Sequence, residues 1–333
     1  MMDLRNRKVV LAKRPDGEPK ESDFQIVDES VDELLDDEVV VAVEHLSIDA
    51  FIRTTLNVDG LHGQAELGAP VIALGTGRVV QSKFSGLNQG DVVFGPMGAQ
   101  RYAKVHGMAY RKIDNDAVPS QAYLGVLGMT TGLTAYAGMI IVGEVQQGDT
   151  VVVSAAAGAV GTVACQLAKI KGARVIGIAG GPEKVEYLAE IGCDGAIDYK
   201  NDDIEAKLKE LAPEGVNVFF DNVGGDLLDQ VLDQLAMGAR VVICGAISQY
   251  HHMEKIQGPA LYLRIAERNA SMRGFTVDHF SDQFSEMEAD LSGWMAAGQL
   301  QLAEHVEEGV DNFPKALVML FNGGHKGKLL VTP

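Results

Sequence analysis

The sequence predicts an α/β protein built from a parallel, doubly wound sheet and a second, β-rich domain. Three observations carry that expectation. Residues 126–300 alternate apolar, β-branched runs with helix-periodic stretches, the pattern that builds crossover units and a parallel sheet. Residues 1–125 instead show short apolar runs at 39–43, 71–74 and 91–94, separated by glycine-rich stretches such as Gly75-Thr76-Gly77 that read as turns. The stretch 301–333 turns mixed again and ends in the strand-like Lys328–Thr332, so it is expected to complete the first domain. A chain of 333 residues is long for one core, which agrees with two domains.

Within the α/β part, residues 150–154 form a β-branched run followed by a small-residue turn. The spacing of Val160, Val163, Ala164, Leu167 and Ala168 predicts one apolar face of a helix over 160–171. Arg174–Ala179 reads as the next strand and 183–191 as the next helix. Val216–Asp221 and 240–245 are further apolar runs bounded by glycine.

Composition narrows the function. Acidic residues outnumber basic ones 46 to 28, a formal charge of −18. That field repels nucleic acid, and no basic stripe reverses it locally. The densest acidic stretch, 28–38, holds seven carboxylates and reads as a solvated loop and strand entry. No apolar run approaches the ~20 residues a membrane span needs; the best, 133–142, is about half that. Met1-Met2-Asp3-Leu4-Arg5 lacks the apolar core of a signal peptide. A cytoplasmic enzyme acting on a small molecule is expected. The three cysteines, Cys165, Cys193 and Cys244, form no CxxC pair and sit among apolar or small residues, so buried free thiols are expected.

The strongest local signal is Val151-Val152-Val153-Ser154-Ala155-Ala156-Ala157-Gly158-Ala159-Val160-Gly161. It matches GxGxxG with Ala156 in the first glycine position and Gly158 and Gly161 in the others, between a strand and an amphipathic helix. Gly158 lets backbone approach a pyrophosphate, Gly161 lets the helix pack on its strand, and the helix N-terminus supplies N–H groups and positive potential. The bare alternative is a tight strand-to-helix turn without ligand. NAD sites place Asp or Glu about 20 residues on, at the end of the second strand. Here that strand runs into Ile178-Ala179-Gly180-Gly181-Pro182, with no carboxylate before Glu183. The glycines leave room for a 2′-phosphate and Lys184 can pair with it, which points to NADP(H). Lys184 as a solvated surface lysine is the alternative, and the missing acid weighs more than the lysine.

Zinc chemistry is not expected. Three cysteines cannot build a Cys₄ site, and no His-Glu pair follows a cysteine in the first domain. His251 and His252 are adjacent, and in an extended segment their side chains point apart.

The runs Leu124-Gly125-Val126-Leu127-Gly128-Met129, Gly132-Leu133-Thr134-Ala135-Tyr136, the glycine turn, Phe220-Asp221-Asn222-Val223-Gly224-Gly225, Cys244-Gly245-Ala246-Ile247-Ser248-Gln249-Tyr250 and Gly327-Lys328 occur in one order along nearly the whole chain. Together they resemble the zinc-independent medium-chain dehydrogenases/reductases, in the leukotriene/prostaglandin reductase and alkenal double-bond reductase branch. The resemblance implies a Rossmann domain with a GroES-like substrate domain, NADPH as hydride donor, α,β-unsaturated aldehydes or ketones as substrates, and a homodimer. By matching position it puts Lys184 and Tyr199 on the 2′-phosphate and Asn222 near the ribose and pyrophosphate. The glycine-turn residues Ala156, Gly158, Ala159, Val160 and Gly161, together with Gly180, belong to the cofactor. So do Cys244, Ala246, Ile247 and Ser248 on its far side, and Phe275, Thr276 and Val277 toward the nicotinamide. Tyr250 falls at the substrate mouth.

The chain also departs from that pattern. Leu46-Ser47-Ile48-Asp49-Ala50-Phe51-Ile52-Arg53 keeps Asp49 and Arg53 but has Phe51 in place of a tyrosine; Phe51 and Arg53 stand as substrate residues. Met129-Thr130-Thr131-Gly132 is one residue longer than the common form. His325 takes a place usually held by Asn, either as a substitute hydrogen-bonding group at the cofactor or as an exposed tail histidine. The reaction implied is hydride transfer to the β-carbon of an enone, with Tyr250 as the donor to the carbonyl oxygen. A quinone reductase, or an NADPH-binding protein with a sensing or structural role, is the alternative.

Overall fold

The computed structural model describes residues 4–333 apart from positions 59, 61 and 117; the first three residues of the N-terminal stretch read above lie outside it. The chain divides into two compact units, 1–124 with 304–333, and 125–303.

The first unit is mostly strand. Its larger sheet runs in the order Glu304–Glu308, Lys328–Thr332, Glu38–Ser47, Leu74–Ser82, Val92–Pro96 and Arg111–Lys112, with Tyr102–His106 also paired to Glu38–Ser47. The tail enters this sheet because Leu330 and Val331 pair antiparallel with Ser47 and Leu46. Val39, Val41, Leu46, Ile52, Phe313, Leu317 and Leu329 share one apolar core. Arg5–Leu11 and Phe24–Ser30 form a separate hairpin.

Two expectations for this unit need correction. Gly75-Thr76-Gly77 is no turn but lies inside the Leu74–Ser82 strand. A Cβ on Gly75 would stand 2.6 Å from His45 O, and one on Gly77 2.4 Å from Ala42 O. The glycines therefore mark close backbone approach within a sheet. The run 71–74 enters a strand only at Leu74; Pro70 makes an isolated bridge to Val10.

The second unit is α/β. Its sheet is parallel throughout, in the order Gly195–Asp198, Arg174–Ala179, Thr150–Val153, Val216–Asp221, Leu235–Ile243 and Ser271–Gly274. The helix expected over 160–171 spans Ala159–Ile170, with Val163, Ala164, Leu167 and Ala168 buried. Pro182–Glu190 is the next helix, its proline in the first turn where a missing N–H costs nothing. Three strands differ from expectation. Leu235–Ile243 starts five residues before the apolar run at 240, while Gly195–Asp198 and Ser271–Gly274 had given no clear signal.

Residues 129–142 form two π-helical turns, Met129–Leu133 and Ala137–Val142, around a short α segment, Thr134–Tyr136. Leu133 N–H reaches back to Gly128 O at 3.1 Å, and Gly143 N–H to Gly138 O at 2.8 Å. The Thr134 hydroxyl donates to Met129 O at 2.7 Å. Each of these turns is wider than an α-helical turn and holds one more residue than it would. Gly132 is obligatory, since a Cβ there would fall 1.6 Å from Val126 O. No helix among the described residues is long and apolar enough to cross a membrane.

Candidate active site

In the second unit the chain runs outward to one sheet edge through Arg174–Ala179 and Gly195–Asp198, then to the other through Leu235–Ile243 and Ser271–Gly274. The direction switches between Thr150–Val153 and Val216–Asp221, and in such sheets ligands bind at the carboxyl ends beside the switch. A polar knot joins the two ends. Asp221, fully buried, accepts the Ser154 hydroxyl at 2.8 Å and the N–H groups of Val223 and Gly224 at 2.9 and 3.1 Å. Ser154 Oγ accepts Asn222 N–H at 2.7 Å, and Asn222 Nδ2 donates to Ser154 O at 2.7 Å. The Asp221 carbonyl takes the N–H groups of Cys244 and Gly245. Burial raises the Asp221 carboxyl above its usual range against the pull of these donors.

The glycine turn sits directly after Val153. Its left-handed residue is Ala155, at φ 48°, one position before Ala156. Ala156 is buried and donates to Ile178 O at 3.0 Å. A Cβ on Gly161 would meet Ala155 O at 2.3 Å and Ala156 Cα at 2.7 Å, so the helix seats on the turn only with glycine there. Gly158 caps Ala159–Ile170 with no side-chain cap and no acid in the first turn. Gly158, Ala159 and Val160 are half-buried. This N-terminus therefore offers unspent N–H groups and positive potential, which fits a diphosphate.

At the end of Arg174–Ala179 the chain turns at Gly181, φ 95°. The Tyr199 ring lies against Gly180, where a Cβ would come within 2.6 Å of it, and Tyr199 is itself 51% exposed. Lys184 is half-buried. Burial first, then the charge of Lys200, holds its ammonium below the usual lysine range. Tyr199 thus stands over the glycine pair, with Lys184 on the helix that follows Gly181 and Lys200 next to Tyr199 in the chain, residue types suited to a doubly charged phosphate.

Sequence reasoning missed Asp198. The next strand places this carboxylate beside Ala179. It accepts Gly181 N–H at 2.8 Å, Lys200 N–H at 3.0 Å and Asn201 Nδ2 at 2.8 Å. These donors, Gly181 first, lower its pKa. Asp198 is spent on shaping the loop that presents Tyr199 and Lys200. The only signal for it was an acid closing a short apolar stretch. Asp221 was equally readable, as the lone charge ending Val216–Asp221.

Cys244 and Ala246 follow the fifth strand, and Ile247, Ser248 and Tyr250 lie on a 3-10 turn, Ile247–Lys255. Burial, then the Asp221 charge, pushes the Cys244 thiol up to about 12. Tyr250 Oη accepts Ala246 N–H at 3.3 Å and stands 2.9 Å from where a Gly245 Cβ would be. Its own hydroxyl proton has no acceptor among the described residues. Phe275 packs with Phe220 against Gly138, and Thr276 and Val277 continue from it into Val277–Gln283.

Other expected residues are placed differently. Arg53 is fully buried, donating to Asn57 Oδ1 and Gly17 O at 2.7 Å each, bonds that brace these segments of the first unit. Phe51 is half-buried, its ring edge-on to His62 with centroids 5.7 Å apart. His325 is buried at 8% exposure, which removes the exposed-tail reading. His251 and His252 lie on the Ile247–Lys255 turn, not in an extended segment. Of the cysteines only Cys165 is fully buried; Cys193 and Cys244 are half-buried. Among the described residues no group of three His, Cys, Asp or Glu side chains is placed to hold a metal ion.

Two family models match the chain: one described as the N-terminal domain of oxidoreductase over residues 7–113, and one described as zinc-binding dehydrogenase over residues 159–293. The Bacillus subtilis protein YfmJ is 41% identical, with 99% of this chain and 98% of that protein aligned. Prostaglandin reductase 1 of Bos taurus is 36% identical over 95% of each chain. The 2-alkenal reductase (NADP(+)-dependent) of Nicotiana tabacum is 34% identical over 99% and 98%. The crystal structure of CurA from Vibrio vulnificus in complex with NADPH superposes with a TM-score of 0.92, at 32% identity over 98% of both chains. A Pseudomonas syringae quinone oxidoreductase, 23% identical, shares the fold at a TM-score of 0.79. With relatives this similar along its whole length, the chain belongs to the medium-chain dehydrogenase/reductase family, in the branch of the prostaglandin and alkenal reductases.

Proposed function

We propose that this chain is an NADPH-dependent reductase of the C=C bond of α,β-unsaturated aldehydes and ketones. When bound, NADPH supplies the hydride that reaches the β-carbon. The chain's residues hold and orient the reactants. Gly158, Ala159, Val160 and Gly161 bring backbone N–H groups to the diphosphate, with Ala156 fixing the turn beneath them. Lys184 and Tyr199 take the 2′-phosphate over Gly180, and Asn222, tied to Ser154, borders the ribose. Cys244, Ala246, Ile247 and Ser248 line the far side, and Phe275, Thr276 and Val277 close on the nicotinamide end.

The observation that carries the reaction is Tyr250. Its oxygen is anchored on Ala246 N–H beside the carboxyl end of Leu235–Ile243, which leaves the hydroxyl proton to donate. Charge that develops on the substrate's carbonyl oxygen is stabilised by such a donor more in the transition state than in the ground state. Burial raises the Tyr250 pKa, keeping the group protonated through the neutral range. No side-chain base is required, since water can protonate the α-carbon. The name of the tobacco relative, a 2-alkenal reductase, supports this substrate class.

The test follows NADPH absorbance with a simple alkenal, a simple enone and a benzoquinone. Higher kcat/KM on the alkenal or enone supports the proposal. Preference for the quinone, or no turnover with any of the three, overturns it.

A further inference from the structure

We propose that Asp198 is a positioning residue for cofactor choice: its carboxylate couples the helix start that carries Lys184 to the loop that carries Tyr199, and so sets the spacing that a ribose 2′-phosphate meets. Asp198 closes the strand Gly195–Asp198 and pairs with Ala179, the last residue of Arg174–Ala179. One oxygen, Oδ1, accepts both Gly181 N–H at 2.8 Å and Lys200 N–H at 3.0 Å. Gly181 caps Pro182–Glu190, and its carbonyl takes Lys184 N–H at 3.1 Å. Lys200 follows Tyr199, whose own N–H is held by Ala179 O at 3.0 Å and whose ring lies against Gly180. A single carboxylate oxygen therefore joins two backbone segments, one leading to Lys184 and the other to Tyr199. The proposal rests on the assignment of the 2′-phosphate to these two residues, and not on which substrate is reduced.

Its place in the sheet bears on the choice between cofactors. NAD sites put a carboxylate at the end of the second strand, where it accepts the ribose 2′-hydroxyl. Here that strand ends in Ala179, and the carboxylate beside it comes from the neighbouring strand and is bonded to the chain itself. Asn201 Nδ2 donates to Oδ2 at 2.8 Å, so three of a carboxylate's roughly four acceptor positions are filled from within. Asp198 N–H donates to Asp202 Oδ2 at 2.8 Å, and its carbonyl accepts the N–H groups of Asn201 and Asp202 at 3.0 and 2.8 Å, which closes the turn on itself. Asp198 is only 8% exposed, so water competes little for these bonds. They hold it ionised, and a negative charge on this loop opposes a dianion. What Asp198 gives an NADP site is therefore shape. The loop is ordered on folding, and that cost is not met again when the phosphate binds.

The test measures dissociation constants of NADPH and NADH by fluorescence titration of the full chain, with each variant's melting temperature recorded without cofactor. Asp198→Asn keeps Oδ1 as acceptor for both N–H groups and removes the charge, and Asn201 can turn its amide to meet the new donor. It should bind NADPH as tightly as the parent or more tightly. Asp198→Ala removes the acceptor, and Asp198→Glu keeps the charge but displaces it by one methylene. Each should weaken NADPH about tenfold, the lower end for a charge-assisted contact, and leave NADH within about twofold. Should Asp198→Ala not fold, Asp198→Glu carries the same measurement. Equal weakening of both cofactors would make Asp198 a purely structural residue and overturn the proposal, as would weaker NADPH binding in Asp198→Asn. Lys184→Ala is the reference. If it lowers the preference for NADPH while Asp198→Ala and Asp198→Glu leave it alone, only the role of Asp198 falls; if none of the three moves it, the phosphate assignment falls as well.

Discussion

Lys328 Nζ donates to Asp49 Oδ1 at 2.7 Å, with the two side chains only 1% and 7% exposed. The Ser47 hydroxyl also donates to Asp49. This ion pair ties the C-terminal strand Lys328–Thr332 to the end of Glu38–Ser47. Removing one member strands a buried charge, which typically costs about 3–5 kcal/mol. Lys328→Met should lose about that much in urea denaturation. The double change Asp49→Asn with Lys328→Met should recover a large part of the loss. A single variant as stable as the parent would show that solvent reaches the pair.

Cofactor choice follows from the glycine floor at Gly180, with Tyr199 over it and Lys184 on the helix that follows. A charge-assisted contact contributes about 1.5–3 kcal/mol, and each ~1.4 kcal/mol is a decade. NADPH should beat NADH in kcat/KM by roughly tenfold to a hundredfold. Lys184→Ala should erase much of that ratio without harming NADH use. Equal activity with both cofactors in the unmodified protein would remove the role assigned to Lys184.

The same lysine gives a pH dependence. Burial and Lys200 hold its pKa below the usual lysine value, and only the charged form pairs with a phosphate. Affinity for NADPH should be full below that depressed pKa and decline as pH rises through it, earlier than an ordinary lysine would titrate. For the free protein the sign is opposite: the charged lysine weakens the fold, and that penalty fades as pH rises from the depressed pKa toward the unfolded value. Lys184→Arg stays charged throughout. It should flatten the alkaline limb of NADPH binding, measured by fluorescence titration.

For Tyr250→Phe, loss of one oxyanion donor implies a fall of about 10²–10³ in kcat for enone reduction. NADPH affinity should stay nearly level, since the phosphate contacts are elsewhere. A change confined to KM would mean that the hydroxyl contributes uniform binding, and the carbonyl would then be polarised by another donor.

Activity should survive prolonged chelator treatment, with far less than one zinc per chain by elemental analysis. Stoichiometric zinc whose removal abolishes turnover would contradict the reading of the cysteine and histidine placement.

The parallel sheet was legible where its strands are buried on both faces. Thr150–Val153, Arg174–Ala179 and Val216–Asp221 read as continuous apolar runs because helices cover them. Ser271–Gly274 did not, because an exposed edge strand carries Ser and Arg instead of an apolar run. Gly75 and Gly77 misled because a glycine that admits a neighbouring strand looks, in sequence, like one that makes a turn. In the candidate site the backbone-led part, Gly158 and Gly161, was readable from spacing alone. The side-chain part was not. Asp198 and Asp221 act by accepting N–H groups from loops whose paths only the folded chain defines. Arg53, expected at the substrate, is bonded in the folded chain to Gly17 and Asn57, partners 36 and 4 residues away that the sequence gives no means of pairing with it.

The π-helical turns at Met129–Leu133 and Ala137–Val142 make the length of this segment a rotational setting. Each residue added to or removed from a regular helix swings everything beyond it by about 100°. Widening the turn at Met129–Leu133 takes up one such step locally, so Tyr136 keeps its 2.7 Å bond to Asp290 and its stacking on Trp294. Deleting Thr130 would leave the chain two courses. It could tighten into an ordinary helix with Tyr136 still aimed at Asp290, or turn Tyr136 away and release Phe284–Ala296 from its tether. Homologues with a shorter segment would be expected to take the first course, which makes this stretch a place where chain length can drift while the packing around Phe220 and Phe275 stays in phase.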